Sequence, residues 1–280
     1  MIVDMTVGYE IYSLMDAFSG YNHIKIAPKD QENTAFTCAW GTYCWNVMPL
    51  GLKNAGATYQ RAMTTIFHDM MHKNMEDYVD DTLAKSKKRD THLDDLEVIL
   101  DRMEQFQLRL NPKKCAFGVT SGKLLGFIIS AKGIEVDPEK VQAIVDMPPP
   151  KNISQMRSLQ GCLQSIRRFI SQLADRAQPF NKNLHKGVKC IWNDECQQSM
   201  DQIKKYLANP PILMPPIPGK RLILYIVETR SALGALLAQI DEHGKERAIY
   251  YIIHTLVSYE VNYTSIEKAC LVVVFASQKL

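Results

Sequence analysis

The sequence predicts an α+β chain, and three features predict it. Up to residue 147, runs that alternate apolar and polar positions take turns with runs whose apolar residues recur every three or four positions. Residues 153–208 carry the helical spacing almost alone. The last stretch holds three strand-like runs followed by one apolar helix. A hydrophobic content of 46% with 22% charged residues supplies an ordinary core, and 280 residues suffice for about two domains.

Taken in order, "YSLMDAFSGYNHIKIA" (12–27) reads as a strand with Gly20 inside it, and "TAFTCAWGTYCWNVM" (34–48) as a hairpin around Gly41. Asn54 caps a helix that puts Met63, Ile66, Phe67, Met70 and Met71 on one face. A strand-like segment with Asp80 and Asp81 comes next. "DTHLDDLEVILDRMEQF" then places Leu93, Leu96, Ile99, Leu100, Met103 and Phe106 at helical spacing, with Asp94 and Asp95 on a solvated face. "KCAFG" and "KLLGFIIS" are short strands, and Asp137-Pro138 opens a helix that "PPP" (148–150) closes. After the helical middle, the proline-rich "NPPILMPPIPGK" (209–220) marks a boundary. "RLILYIVE", "ALGALLAQI" and "RAIYYIIHTL" are three strands, and "TSIEKACLVVVFASQKL" is the closing helix. Both ends of the chain look cut.

The balance of 33 basic against 30 acidic residues gives a net charge of only +3, so a nucleic-acid surface has to be a local patch. The seven cysteines, Cys38, Cys44, Cys115, Cys162, Cys190, Cys196 and Cys270, are scattered and form no CxxC pair, which points to reduced thiols inside a cell. No apolar run reaches the roughly 18 residues that span a bilayer, and no secretory leader is visible. The sequons at Asn152 and Asn262 therefore carry little weight. His68 and His72 stand at i and i+4, but Asp69 sits where a zinc-protease helix needs Glu and no third ligand is apparent, so zinc is not expected.

The informative stretch is "MEDYVDDTLAKSKK" (75–88). Two adjacent carboxylates at the turn of a strand pair lie on opposite sides of the local backbone. Held close they repel, unless a cation sits between them. Oxygen-only ligands favour Mg²⁺ over zinc. Two such ions about 3.5–4 Å apart clamp an in-line phosphoryl transfer, and that arrangement needs a third carboxylate from a neighbouring strand. Asp16, between Met15 and Ala17, is the candidate, since an Asp amid apolar strand residues is otherwise costly. The structural alternative is an ordinary Asp-Asp turn.

These residues, together with "SLMDAFSGYNHI", "TAFTCAWGTYCWNVMPLGLKNAGATYQRAM", "LRLNPKKCAFG" and "LLGFIIS", resemble the reverse transcriptase of gypsy-type LTR retrotransposons, most closely the plant branch. The resemblance continues to "ERAIYY" and covers nearly the whole chain in order. It implies a palm with partial fingers over 1–133, thumb or connection helices over 134–208 and a truncated ribonuclease H-like β-β-β-α piece over 209–280. In that palm an antiparallel sheet is backed by helices. It implies RNA-directed DNA synthesis with two Mg²⁺ ions on Asp16, Asp80 and Asp81, and Lys114 as the proton donor to pyrophosphate. Tyr21 corresponds to the ring that excludes a 2′-hydroxyl. Leu50, Gly51 and Gln60 match positions shaping the nucleotide and template pocket, and Leu125, Gly126 and Phe127 match the primer grip. Lys85, Lys87, Lys88 and Arg89 are candidate phosphate contacts, as are Arg167 and Arg168. For Tyr21 the bland alternative is a core tyrosine, and for the cations a solvated face. The implied partners are a primed RNA or DNA template, deoxynucleotides and the rest of a Pol polyprotein, with no membrane, in a cytoplasmic particle. Nothing in the sequence gives an oligomeric state.

The pattern also breaks. The chain begins after the family's basic finger segment. In the ribonuclease H-like piece, Val227 falls on the first essential Asp, with Glu228 facing the other way, and Ala269 falls on the essential Glu. RNA cleavage is therefore not expected. Leu50 replaces a usual Phe, and Gln160 and Ser165 replace Leu and Tyr on a packed helix face, which is expected to leave polar groups short of partners. The second reading is accordingly a non-catalytic relic that binds nucleic acid weakly.

Overall fold

A computed structural model describes residues 2–182, 192–229 and 232–279. Met1, Leu280 and Cys190, and part of the helical middle read from the sequence, lie outside the described residues. The chain divides into two compact units, one of residues 1–125 with 129–131, the other of residues 126–128 with 132–280.

The first unit begins with the short helix α1 (Ile2–Met5), strand β1 (Ile11–Asp16) and the short helix α2 (Pro28–Gln31). The hairpin β2 (Phe36–Cys38) and β3 (Gly41–Tyr43) follows, then helix α3 (Ala55–Ile66), strands β4 (Met75–Tyr78) and β5 (Asp81–Ser86), helix α4 (His92–Gln105) and strand β6 (Ala116–Val119). Four strands form one sheet in the order β4-β5-β1-β6, with β1 antiparallel to both of its neighbours. β1 is central, which is why most of it is buried on both faces. The expected longer strand stops at Asp16, and Gly20 instead opens a 3₁₀ turn over Gly20–His23.

α3 packs Tyr59 and Met63 behind the sheet. It ends earlier than its apolar spacing suggests. Phe67 and Met70 are buried but lie past the helix, because the chain must turn at His72, φ +65°, to enter β4. α4 buries Leu96, Ile99 and Met103, whereas Leu93, Leu100 and Phe106 are exposed. The inward position of its first turn goes to His92, whose ring nitrogens lie 2.8 Å from Ser13 Oγ and 2.9 Å from Ser86 Oγ. Ser86 in turn donates to Asp95 at 2.6 Å, so Asp95 is a network member and not merely a solvated charge. Lys85, expected to reach phosphates, is fully buried: its ammonium donates to Glu76 at 2.7 Å and to the Met5 carbonyl at 2.6 Å. Lys87, Lys88 and Arg89 are exposed.

The β2–β3 hairpin pairs Phe36 with Tyr43. It carries its rings in water: Phe36 lies 6.1 Å from Tyr43 and 5.6 Å from Trp45 between centroids, and Trp40 at the tip is 87% exposed.

Strands β7 (Ser121–Leu124), β8 (Phe127–Ser130) and β9 (Gly133–Val136) come next, and the division between the units runs through them. The second unit holds helices α5 (Pro138–Val145), α6 (Ile153–Ser165), α7 (Leu173–Arg176), α8 (Gln178–Lys182) and α9 (Asp194–Leu207). Asp137, Asn152 and Asn193 cap α5, α6 and α9 by accepting backbone N–H bonds. The expected polar defects in α6 do not arise: Gln160 is only half-buried, and Ser165 is exposed and donates to the Cys162 carbonyl at 2.7 Å. Arg168, expected to be exposed, is buried. Its guanidinium lies over the rings of Tyr250 at 4.9 Å, Phe127 at 5.7 Å and Phe169 at 6.0 Å, which supply the cation with π-faces in place of water. Within the proline-rich segment, Leu213 exchanges backbone bonds with Ile134 at 2.8 and 3.0 Å.

The chain closes with antiparallel strands β10 (Leu222–Glu228), β11 (Ala232–Ile240) and β12 (Glu246–Thr255), then helix α10 (Ser265–Lys279). This is the expected β-β-β-α order. α10 packs Val272 and Ala276 against Leu233 and Ile252. Among the described residues, Cys38, Cys44, Cys115, Cys162, Cys196 and Cys270 are free thiols, and no helix is long and apolar enough to cross a membrane.

Candidate active site

The site grows from the pairing of β1 with β5. Their antiparallel register sets Asp16, the last residue of β1, directly opposite Asp81, the first of β5. Asp80 sits in the tight turn between β4 and β5, and its carbonyl accepts from Ala17 N–H at 3.2 Å. The three acids named from sequence therefore come from adjacent strands at one end of the sheet.

The turn is strained. Val79 has φ +55°, a left-handed conformation that a β-branched residue rarely adopts. What holds it there is Gln60 on α3. Its Oε1 accepts the Val79 N–H at 2.7 Å, and its Nε2 donates to the Asp77 carbonyl at 3.1 Å and to Asp77 Oδ2 at 3.3 Å. Thr82 donates to Asp77 Oδ1 at 2.8 Å. Gln60 thus acts behind the turn, and its side chain does not line the hollow described below.

Asp77 is fully buried, and burial pushes its carboxyl up to about 7; Thr82 and Gln60 pull the other way, and Asp80 and Asp81 add to the rise. The sequence reading missed it. The argument applied to Asp16, an acid between apolar neighbours, does not single out Asp77, which stands between Glu76 and Tyr78. Burial also raises the carboxyls of Asp80 and Asp81. The charge of Asp16 adds to both, that of Asp80 adds to Asp81, and Lys114 opposes. Lys114 Nζ lies 3.4 Å from Asp16 Oδ2. Among the described residues no three acid, His or Cys side chains close around one point. The acids are near enough to resist joint ionisation without being drawn onto a common centre.

A hollow of about 200 Å³ opens here, lined by Asp16, Gly20, Tyr21, Leu50, Asp80 and Lys114 among others. Tyr21 meets Tyr59 edge-on, their centroids 5.4 Å apart. Its phenol is raised first by burial and then by Asp80. Gly51 has φ +102°, and a Cβ built on it would meet nothing within 4 Å, so conformation and not crowding by the protein calls for glycine. Leu125, φ +50°, and Gly126, φ +74°, form the turn before β8. A side chain on Gly126 would run into Lys140. Phe127 packs against Phe169 at 5.7 Å. His68 and His72 do not meet: His72 bonds Glu76 at 2.9 Å and His68 the Thr65 carbonyl at 3.2 Å.

In the second unit, Glu228 and Ala269 line a hollow of about 240 Å³ with Ile226, Ser265, Ile266 and Val272. Its single carboxylate accepts from Ser265. Ala269, which the resemblance sets on the essential Glu, thus shares this hollow with Glu228.

Residues 2–129 match the family model described as reverse transcriptase (RNA-dependent DNA polymerase), and residues 192–280 match the RNase H-like domain found in reverse transcriptase. The chain is 32% identical over 281 residues to the retrovirus-related Pol polyprotein from transposon opus of Drosophila melanogaster, aligning over 96% of its own length and 28% of that protein. It is 28% identical to the transposon Tf2-3 polyprotein of Schizosaccharomyces pombe, over 95% of its length and 20% of that protein. The chain thus spans less than a third of these relatives. Among solved structures, a foamy viral protease-reverse transcriptase in complex with double-stranded DNA superposes on 99% of this chain and 49% of that one, with a TM-score of 0.87 and 20% identity. The same viral protein in complex with an RNA/DNA hybrid gives 0.85 over 99% and 38%, also at 20% identity. The palm-like sheet with its acidic turn and the β-β-β-α piece thus have the same relatives, and the chain carries a reverse transcriptase domain and an RNase H-like domain homologous to those of retrotransposon Pol polyproteins.

Proposed function

We propose that the chain is the DNA-polymerising segment of a gypsy-type element of the plant branch, with a palm and partial fingers over 1–133, thumb or connection helices over 134–208 and an RNase H-like piece over 209–280. The observation that carries the reading is the register that sets Asp16 opposite Asp81, with Asp80 on the strained turn beside them. The donor set is oxygen-only, and the charge of Asp16 adds to the burial that raises the carboxyls of Asp80 and Asp81, so a hard cation fits it better than water does. Asp16, Asp80 and Asp81 would hold two Mg²⁺ ions, which when bound make the primer hydroxyl more acidic and offset charge on the triphosphate.

The chain's own groups do the rest. Lys114 neutralises Asp16 and is the nearest proton source for departing pyrophosphate. Tyr21, braced by Tyr59, presents a ring at the hollow's wall and excludes a ribose 2′-hydroxyl. Leu50, 81% exposed, and the backbone at Gly51 border the nucleotide. Leu125, Gly126 and Phe127 grip the primer end. The template is RNA or DNA, by analogy with the structural neighbours solved in complex with an RNA/DNA hybrid and with double-stranded DNA. The rest of the Pol polyprotein is a partner, and the setting is a cytoplasmic particle.

A second reading, a non-catalytic relic, is favoured by the RNase H-like hollow, where Glu228 is the one acid among the residues that line it. The test is primer extension on an RNA template with purified chain, Mg²⁺ and deoxynucleotides, beside Asp80→Asn. Extension that the variant loses by more than about a thousandfold supports the polymerase. Silence from a folded wild-type chain that persists when a family finger segment is added back supports the relic, and rescue by that segment supports the polymerase.

A further inference from the structure

Tyr59 is 2% exposed, and its hydroxyl is buried with no hydrogen-bond partner among the described residues. A buried donor left unmade is costly, so such a group calls for a partner in the working state. The geometry indicates which partner. A Cβ built on Gly20 would lie 2.9 Å from Tyr59 Oη and 3.0 Å from Asp80 Oδ1. The phenol and the carboxylate therefore face the same bare Cα, and the missing side chain of Gly20 is what leaves the space between them open. Asp80 stands on a turn held from behind by Gln60 through Val79, and its own backbone carbonyl accepts from Ala17 N–H. No hydrogen bond orients its carboxylate within the hollow among those described.

We propose that Tyr59 is a positioning residue for the polymerase reaction, its phenol donating a hydrogen bond to the Asp80 carboxylate and fixing the orientation in which that carboxylate takes a divalent cation. This rests on the metal-site reading above and names a residue that supports it. The direction is chemically sound on three counts. An ordinary phenol titrates at about 10, so the hydroxyl is a donor at neutral pH. A donor that aims one oxygen leaves the other lone pairs of Asp80 for a cation, the usual division of labour in the outer shell of a metal site. The same ring buttresses Tyr21, so the hydroxyl and the ring of one residue serve the cation and the nucleotide sides of the hollow.

Tyr59→Phe removes only the hydroxyl and leaves the ring packing intact. The first readout is metal-free. In a chain labelled with ¹³C at the aspartate carboxyl carbons, with the Asp80 resonance assigned through Asp80→Asn, Tyr59→Phe shifts that resonance and leaves the Asp69 signal in place. An unmoved Asp80 resonance overturns the proposal, whatever the metal behaviour. The second readout is direct Mn²⁺ titration of the purified chain. Tyr59→Phe binds about tenfold more weakly than wild type, and the loss disappears in an Asp80→Asn background. Equal affinity, or an equal loss in both backgrounds, overturns the positioning role. A shifted resonance in a wild-type chain that binds no Mn²⁺ leaves the phenol contact standing and defeats the two-metal reading instead. Gly20→Ala, which would push its methyl group onto both atoms, weakens Mn²⁺ binding at least as much as Tyr59→Phe; unchanged binding would contradict the shared-space geometry.

Discussion

Asp77 shows how one side chain can serve the site at a cost to the fold. Its carboxyl is neutral below about 7 in the folded chain but ionises near 4 when unfolded. Between those values the folded state binds the extra proton, so stability is full below pH 4 and is lost as pH rises toward 7. The loss is at most about 4 kcal/mol. Asp77→Asn keeps the shape and the acceptor for Thr82 while removing the charge. Its melting temperature is expected to exceed that of wild type at pH 7.5 and to match it at pH 4. His92 behaves in the opposite sense. Burial lowers its pKa, with Asp95 opposing, so the unfolded chain takes up a proton first as pH falls below about 6.5. Stability is present above that pH and lost below it, and His92→Gln should flatten the acid limb of a urea-midpoint profile between pH 7.5 and 5.

At the scale of elements, the buried pair between β4 and β5 has the largest expected effect on stability. Lys85→Met leaves the buried Glu76 carboxylate with His72 as its remaining side-chain partner among those described and should cost about 3–5 kcal/mol in urea unfolding, whereas Lys87→Met on the same strand's exposed extension should change little. A loss confined to nucleic-acid affinity, with stability intact, would contradict this assignment. The pair also marks where local reading of the chain ends. The hairpin of Phe36–Tyr43, the Asp137 cap before Pro138 and the acidic turn were legible because each is encoded within a few neighbouring residues. The spacing also singled out Asp16, Asp80 and Asp81, which the register brings together, but an ordinary Asp-Asp turn stayed open until the resemblance was drawn. Lys85 was not, because Glu76 and the Met5 carbonyl meet it only through tertiary contact, and a lysine inside a basic run gives no local sign of burial. Arg168 was hidden in the same way by rings from distant elements. The end of α3 and the exposed Leu93 and Leu100 escaped because apolar spacing marks a helix face but not how much of it a neighbour covers.

For the molecule as a whole, three acids meet at one end of the first unit's sheet, whereas Glu228 is the one acid lining the hollow at Ala269. A labelled RNA–DNA hybrid incubated with the chain and Mg²⁺ is therefore expected to stay intact under conditions where primer extension is scored; release of RNA fragments above the level of an Asp80→Asn control would refute it. How such experiments are followed is constrained by the β2–β3 hairpin. Of the three tryptophans, Trp40 and Trp45 stand on it, exposed by 87% and 41%, and Trp192 stacks on Phe180 in the other unit. Most of the intrinsic fluorescence thus comes from indoles already in water. Emission should be red-shifted in the native chain and move little on denaturation, which makes it a poor gauge of unfolding. It should quench strongly when anything settles on that hairpin, so the chain carries a built-in optical reporter for occupancy of one surface.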